Sequence, residues 1–190
     1  MKSTKRRGFT LVELLIVIVV IGILSAMMML SSTEAVSSAK ANNIISNMRN
    51  MRTAVTAWYV DNIDRIVIGR NDKGEVNSVK VGDTAFSQFV ASEAGKKEIM
   101  KYFNNSEAIS LKGKESATKN AGDYFLLDND YTTWNVAYQL GNNDASVKEK
   151  LAGRAKSVGL RGKTAIDGDV FNDPYTNETY VSMVILKLED

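Results

Sequence analysis

The chain has 190 residues, about one average domain, with 24 Lys+Arg against 22 Asp+Glu and a formal net charge of +2. It contains neither His nor Cys, which excludes zinc sites of the usual N/S type, haem and iron–sulfur ligation, disulfides and every catalytic unit built on His or Cys. Carboxylates, Lys, Ser/Thr and Tyr remain, and no local pattern among them singles out a catalytic pair, so the chain reads as a non-enzyme.

The first eight residues hold Lys2, Lys5, Arg6 and Arg7 and no acid. An apolar run follows from Phe9 to Leu30, with Glu13 as its only charge, and residues 14–33 are 20 consecutive uncharged positions. As a helix that stretch is roughly 30 Å long, the thickness of a bilayer's hydrocarbon core. It predicts a membrane-spanning segment, with the basic leader kept in the cytoplasm as a topology signal and the rest of the chain outside. A cleaved secretory signal fits less well, because Ser25-Ala26 is followed by further apolar residues, Met27 to Leu30. A plain uncleaved anchor leaves Glu13 unexplained: a carboxylate costs about 2.5–3.5 kcal/mol at a membrane centre, less near the interface, and marks a functional candidate.

Lys5-Arg6-Arg7-Gly8-Phe9-Thr10-Leu11-Val12-Glu13 resembles the class III signal of type IV prepilins and of secretion pseudopilins. The resemblance covers roughly residues 5–30. It implies cleavage between Gly8 and Phe9 by a prepilin peptidase, N-methylation of the new terminal Phe9, and an assembly role for Phe9 and Glu13. In a filament, Glu13 of one subunit would meet the Phe9 amine of a neighbour. Inside a bundle of apolar helices such a pair fixes axial register more than it adds net stability. Many pilins carry a proline near the end of this segment; this chain has Leu30 there, which favours a continuous helix. Gly22 stands where the family often has a small residue and where helices can approach closely.

Beyond Glu34 the helical period persists. Ile44, Met48, Met51, Val55 and Trp58 form one apolar stripe, and no Pro or Gly interrupts residues 23–61. One helix from Phe9 to Asp61 would have 53 residues and span roughly 80 Å. Its 9–33 half would anchor and polymerise; its 34–61 half would dock the globular remainder, residues 62–190.

That remainder is mixed. Gly69 to Gly74 is rich in turn formers and reads as a loop or hairpin. Phe86, Phe89, Val90, Ile99, Met100 and Phe103 suggest short helices broken at Gly95. Trp134, Val136, Tyr138 and Leu140 alternate as a strand with one buried face. Asp144 is placed to cap a helix carrying Val147, Leu151, Ala155 and Val158 and stopped by Gly159. Tyr180 to Leu188 is apolar on both faces, as an interior strand would be. The fold class expected is α+β: a long N-terminal helix packed on a small C-terminal antiparallel sheet, pilin-like.

Two surface constellations carry alternatives. Asp167, Asp169, Asn172 and Asp173 form an oxygen-rich loop that could hold calcium. Their spacing is not that of an EF-hand, and such residues are ordinary turn formers, so no cofactor is expected. Asp173 to Asn177 also resembles a turn found late in many secretion pseudopilins, some of which bind calcium. Lys148, Lys150, Arg154, Lys156, Arg161 and Lys163 face only Glu149 among acids over that stretch and could meet phosphates or an anionic surface. Spread around a short helix and loop, they predict a solvated surface and point away from nucleic acid.

The sequence therefore reads as a pilin-like subunit of a type IV pilus or related filament, with a pseudopilin of type II secretion as the alternative and a tethered binding or enzymatic domain as the remaining one. The partners implied are copies of itself or related pilins, the peptidase/methylase, the assembly platform and the lipid bilayer. The location implied is the bacterial inner membrane, then a surface or periplasmic filament. Loss of the leader would leave 20 basic against 22 acidic side chains, so the working form would carry −2.

Overall fold

The computed structural model describes residues 9–103, 111–112, 122–129, 131–163 and 174–188. One helix, α1 (Leu11–Asp61, 51 residues), runs unbroken through the apolar run and the amphipathic stretch after it. Its described side chains from Leu11 to Val36 are exposed, and partial burial begins at Ser37 and Ser38. From there Ala41, Ile44, Ile45, Met48, Met51, Ala54, Val55 and Trp58 are buried. They recur at three- and four-residue steps, so a single face of α1 forms one wall of the core. Each large side chain buried there contributes about 1.5–3 kcal/mol of gross transfer free energy.

The remainder is α+β, with two small sheets and four short helices among the described residues. A 3₁₀ turn (Ile63–Arg65) leads into a three-stranded antiparallel sheet of β1 (Ile66–Arg70), β2 (Val76–Val81) and β3 (Thr84–Ala85). The Gly69–Gly74 region is the hairpin between β1 and β2, closed by Asn71, whose side chain accepts from the Lys73 and Glu75 amides. The second sheet has strand order β4-β5-β6-β8-β7, from β4 (Leu111–Lys112), β5 (Tyr124–Asn129), β6 (Thr133–Gln139), β7 (Leu160–Lys163) and β8 (Tyr180–Lys187). β8 is interior, between β6 and β7, as its two apolar faces require. The pairing of β4 with β5 is parallel, a departure from the all-antiparallel expectation confined to two residue pairs.

Three local readings are corrected. The short helices α2 (Phe86–Ala91) and α3 (Glu93–Met100) break at Ser92, not Gly95. Ser92 has extended backbone and its hydroxyl accepts the Gly95 amide as the α3 N-cap, at 3.0 Å. Gly95 lies inside α3 for a different reason: a Cβ there would sit 2.0 Å from the Phe89 carbonyl oxygen. Strand β6 is buried on both faces, not one. Trp134, Val136 and Tyr138 join the main core, while Ala137 packs with Phe125, Leu127 and Tyr180 on the other side.

The third correction concerns Asp144. It precedes α4 (Ala145–Ala152), but its side chain makes no cap hydrogen bond to that helix. Its carboxylate is instead taken by the Gly141 amide at 2.8 Å and by Lys40 of α1 at 2.5 Å. The expected single helix is also split: α4 ends at Gly153, and α5 (Ala155–Val158) follows, closed by Gly159 at φ 75°, a left-handed position suited to glycine.

The core is aromatic where α1 meets β6. Trp58 stacks on Phe89 with ring centres 5.4 Å apart, Phe86 stacks on Trp134 at 3.7 Å, and Tyr59 meets Trp134 edge-on at 5.5 Å. The globular part is thereby fixed to the second half of α1, and the first half projects alone.

Candidate functional site

The projecting half of α1 begins at Thr10, which has extended backbone (φ −79°, ψ 152°) and acts as the N-cap. Its hydroxyl accepts the Glu13 amide at 3.2 Å. The Glu13 carboxylate in turn accepts the Thr10 amide at 2.7 Å and the Thr10 hydroxyl at 2.8 Å. This is a reciprocal capping box, the arrangement that Thr-x-x-Glu favours at a helix start. Phe9 stands just outside the helix and is 86% exposed. Gly8 and the leader residues Lys2, Lys5, Arg6 and Arg7 lie outside the described residues.

From Leu11 to Met29 every residue of α1 is exposed, and the span is long and apolar enough to cross a membrane with none of it buried in the protein's own fold. Apart from Glu13 this exposed surface is apolar, of the kind that lipid or the same surface of other molecules can cover. Gly22 sits on this surface with open space where a side chain would be. A neighbouring helix could approach its backbone closely there.

The second half of α1 carries the docking face, with Ile44, Met48, Met51, Val55 and Trp58 all buried. Polar ties flank that apolar seam from bottom to top. Lys40 pairs with Asp144, Asn42 accepts from Arg154, and the Asn47 amide donates to the Tyr124 hydroxyl at 3.0 Å. Further along, the Trp58 indole donates to Glu98 at 3.0 Å and the Tyr102 hydroxyl donates to Asp61 at 3.0 Å. Arg65 also donates to Glu98, at 2.8 Å. Burial opposes ionisation of Glu98, but the hydrogen bonds from Trp58 and Arg65 outweigh it and hold its pKa below the ordinary value. Asp144 is lowered in the same way: burial opposes, and the bonds from Lys40 and the Gly141 amide prevail. Tyr124, largely desolvated against α1, has its phenol pushed up to about 12 despite the Asn47 bond.

The calcium candidates Asp167, Asp169, Asn172 and Asp173 lie outside the described residues. Among the described residues no group of three or more Asp or Glu is placed to hold a metal ion. The adjoining Pro174–Glu178 segment is a turn laid against β7, where the Tyr175 amide donates to the Leu160 carbonyl at 2.9 Å. Tyr175 is buried and its hydroxyl donates to the Glu178 carbonyl, while the Glu178 carboxylate accepts from the amides of Thr176 and Asn177 and from the Thr176 hydroxyl. Burial works against the charge on Glu178, but those donors lower its pKa, and they already occupy its oxygens.

The basic residues Lys148, Lys150 and Arg154 sit on or beside α4, Lys156 on α5, and Arg161 and Lys163 on β7. Residue patterning missed the Thr10 box and the Lys40–Asp144 tie. The first was visible as Thr-x-x-Glu before an apolar run; the second joins residues 104 apart and had no local signal.

Residues 3–29 match the family model for the prokaryotic N-terminal methylation motif. No curated protein and no solved structure matches the chain. The match takes in Lys5, Arg6 and Arg7 of the leader, the Gly8-Phe9 junction, Thr10 and Glu13, and the exposed apolar stretch to Met29, and it supports a prepilin-type N-terminus of the kind shared by type IV pilins and pseudopilins.

Proposed function

We propose that this chain is a structural, pilin-like subunit of a type IV pilus or related helical filament. It is made as a prepilin inserted in the bacterial inner membrane, cut after Gly8, N-methylated at Phe9 and polymerised through α1. The observation that carries this reading is one continuous helix whose first half is apolar apart from Glu13 and exposed from Leu11 to Met29, while its second half is locked into a folded body. The membrane covers the first half before assembly, and copies of the same helix cover it afterwards. Subunits stacked head to tail with a rotation that does not close generate a fibre. Gly8 is the residue before the cut, and the four leader cations keep it on the cytoplasmic side. The partners are then the prepilin peptidase/methylase, the assembly platform and further pilin copies, with no enzymatic step by the chain itself.

A pseudopilin of type II secretion is the second reading, favoured by the Pro174–Asn177 turn, whose relatives occur late in many secretion pseudopilins. Mass spectrometry of the membrane-extracted protein tests the shared part: the expected N-terminus is N-methyl-Phe9. An intact Met1, or a cut beyond Leu30, overturns it in favour of a tethered domain. Electron microscopy of the sheared surface fraction separates the two readings, with long fibres containing this chain expected for a pilus.

A further inference from the structure

We propose that Glu34 of one subunit pairs with Arg49 and Arg52 of a second copy of this chain, shifted along the axis of α1 by 15–18 residues. The inference rests on the filament reading above and names a contact within it.

The fold leaves three charges on the second half of α1 unmatched. Lys40 is paired with Asp144, and Asp61 accepts from Tyr102. Glu34, Arg49 and Arg52 are exposed, and among the described residues their side chains make no hydrogen bond or ion pair. Arg49 and Arg52 stand one turn apart, where like charges destabilise a helix. No acid lies within four residues of either on α1. The strands packed against α1, β6 and β8, contain none. The acids of α3 are bound elsewhere, Glu93 to Lys96 and Glu98 to Trp58 and Arg65. On α4, Asp144 is taken by Lys40, and Glu149 belongs to a helix tied to α1 at Lys40 and Asn42, about 10 Å below Arg49. The bilayer is out of reach as well: Arg49 lies 16 residues past Thr33, an axial rise of about 24 Å.

Within one chain these charges cannot meet, because Arg49 and Arg52 lie about 22 and 27 Å beyond Glu34 on an unbroken helix. Eighteen residues make five full turns, so Glu34 and Arg52 stand on the same side of α1, with Arg49 about 60° round from them. Two copies shifted without turning would point these groups the same way. Copies related by a rise and a rotation can turn them toward each other, and that is the operator of a helical fibre. The solvent-facing side of α1 beside them carries Ala35, Asn43, Ser46, Asn50 and Thr53, all exposed, short and uncharged. A neighbouring helix can therefore come close, and the long Arg stems span what gap remains. Turned copies with no shift would instead set the arginines against the same arginines and Glu34 against Glu34. The charges thus reject the unshifted pair and accept the shifted one. Glu34 directly follows the uncharged run, so when that run enters a bundle of helices its acid loses water and gains from an opposite charge.

Charge reversal in the full-length chain, expressed in its own host, tests the pair. Arg49→Glu/Arg52→Glu is expected to cut the yield of sheared fibres at least about tenfold, because two new acids then face Glu34. Adding Glu34→Arg restores opposite signs and is expected to bring back at least about half of the normal yield. Both variants should keep N-methyl-Phe9 and the normal thermal midpoint in detergent, since none of the three side chains has a partner in the described fold. Undiminished yield from the first variant, or no recovery on adding the second change, overturns the proposal. The chain has no cysteine, so Glu34→Cys/Arg52→Cys gives an independent readout. The two sulfurs of one chain are too far apart for a disulfide, so mild oxidation of fibres should yield a ladder of covalent multimers. Each single variant should stay monomeric. Intact fibres without the ladder, or a covalent dimer from either single variant, overturn the shifted pairing. A wild-type chain that carries N-methyl-Phe9 yet forms no fibre defeats the filament reading itself, whereas fibres indifferent to the reversals defeat only this contact.

Discussion

The Glu13 carboxylate accepts two hydrogen bonds from Thr10, one from its amide at 2.7 Å and one from its hydroxyl at 2.8 Å. The acid of the apolar helix is thus satisfied by its own chain before any neighbour arrives. Two bonds from its own helix start hold the carboxylate at one axial position and lower the cost of carrying it near lipid. On the proposed filament reading, an acid held in place by Thr10 would be presented to an incoming terminal amine in a fixed geometry.

Two substitutions separate holding from pairing. Glu13→Ala should insert and be processed but enter filaments poorly, because the register contact is gone; normal filament yield from this variant would sink that role. Thr10→Ala removes an N-cap, which costs about 1 kcal/mol. Exchange of the Glu13 and Leu14 amides, both bonded to Thr10, should then quicken by roughly fivefold, that free energy expressed as an opening equilibrium. Thr10→Ser should restore the slow rate, since it keeps the hydroxyl.

Gly95 offers a case in which intrinsic propensity and packing oppose one another. Gly→Ala inside a helix is normally stabilising by about 0.5–1 kcal/mol. Here the added Cβ would fall 2.0 Å from the Phe89 carbonyl oxygen and 2.8 Å from its carbon, both backbone atoms that cannot rotate away. Packing wins: Gly95→Ala should destabilise by about 1–3 kcal/mol, in line with overpacked sites. Urea unfolding in detergent, followed by Trp fluorescence, measures it, and a gain in stability would show that α2 and α3 separate easily.

The seam between α1 and the sheets predicts where stability is concentrated. Met51 is fully buried beside the Trp58 cluster, so Met51→Ala should cost about 2–5 kcal/mol. Ser182 makes the contrasting case: it is fully buried in β8 and its hydroxyl has no hydrogen-bond partner among the described residues. Removing an unpaired buried polar group is neutral or favourable, so Ser182→Ala should leave stability unchanged or raise it by up to about 1 kcal/mol. A loss larger than that would reveal a partner for the hydroxyl in solution.

What could be read from the residues was what local periodicity encodes. The length of α1, its change from all-round apolar to one-sided, the Gly69–Gly74 hairpin and the interior position of β8 follow from spacing alone. Tyr124–Asn129 was not assigned to a strand, because its apolar residues do not alternate: they serve two cores, Tyr124 and Leu126 on one face, Phe125 and Leu127 on the other. Asp144 looked like a helix cap because the residue type and position suit one. A cation from a segment 104 residues away competed for the same carboxylate and won. The Thr10 box is legible as Thr-x-x-Glu ahead of an apolar run, a pattern that the isolated charge of Glu13 does not by itself point to.

The acid side of the stability profile follows from three carboxylates. Glu98, Asp144 and Glu178 are all held below the ordinary carboxylate range in the folded state, because hydrogen bonds to their charged forms outweigh burial. A lowered folded pKa means that the unfolded chain binds protons first as pH falls. Their contribution is complete above those ordinary values and is lost progressively below them, as pH drops through the folded values. With no His and no Cys in the chain, no side chain has its ordinary titration between about pH 5.5 and 8. The midpoint of thermal unfolding should therefore stay level across that neutral range and fall steeply below about pH 4. Glu98→Gln should flatten part of the acid limb while costing stability at neutral pH, since the amide keeps an acceptor for Trp58 but gives up the charge that Arg65 meets at 2.8 Å. An acid limb unchanged in that variant would remove Glu98 from the account and leave the decline to Asp144 and Glu178.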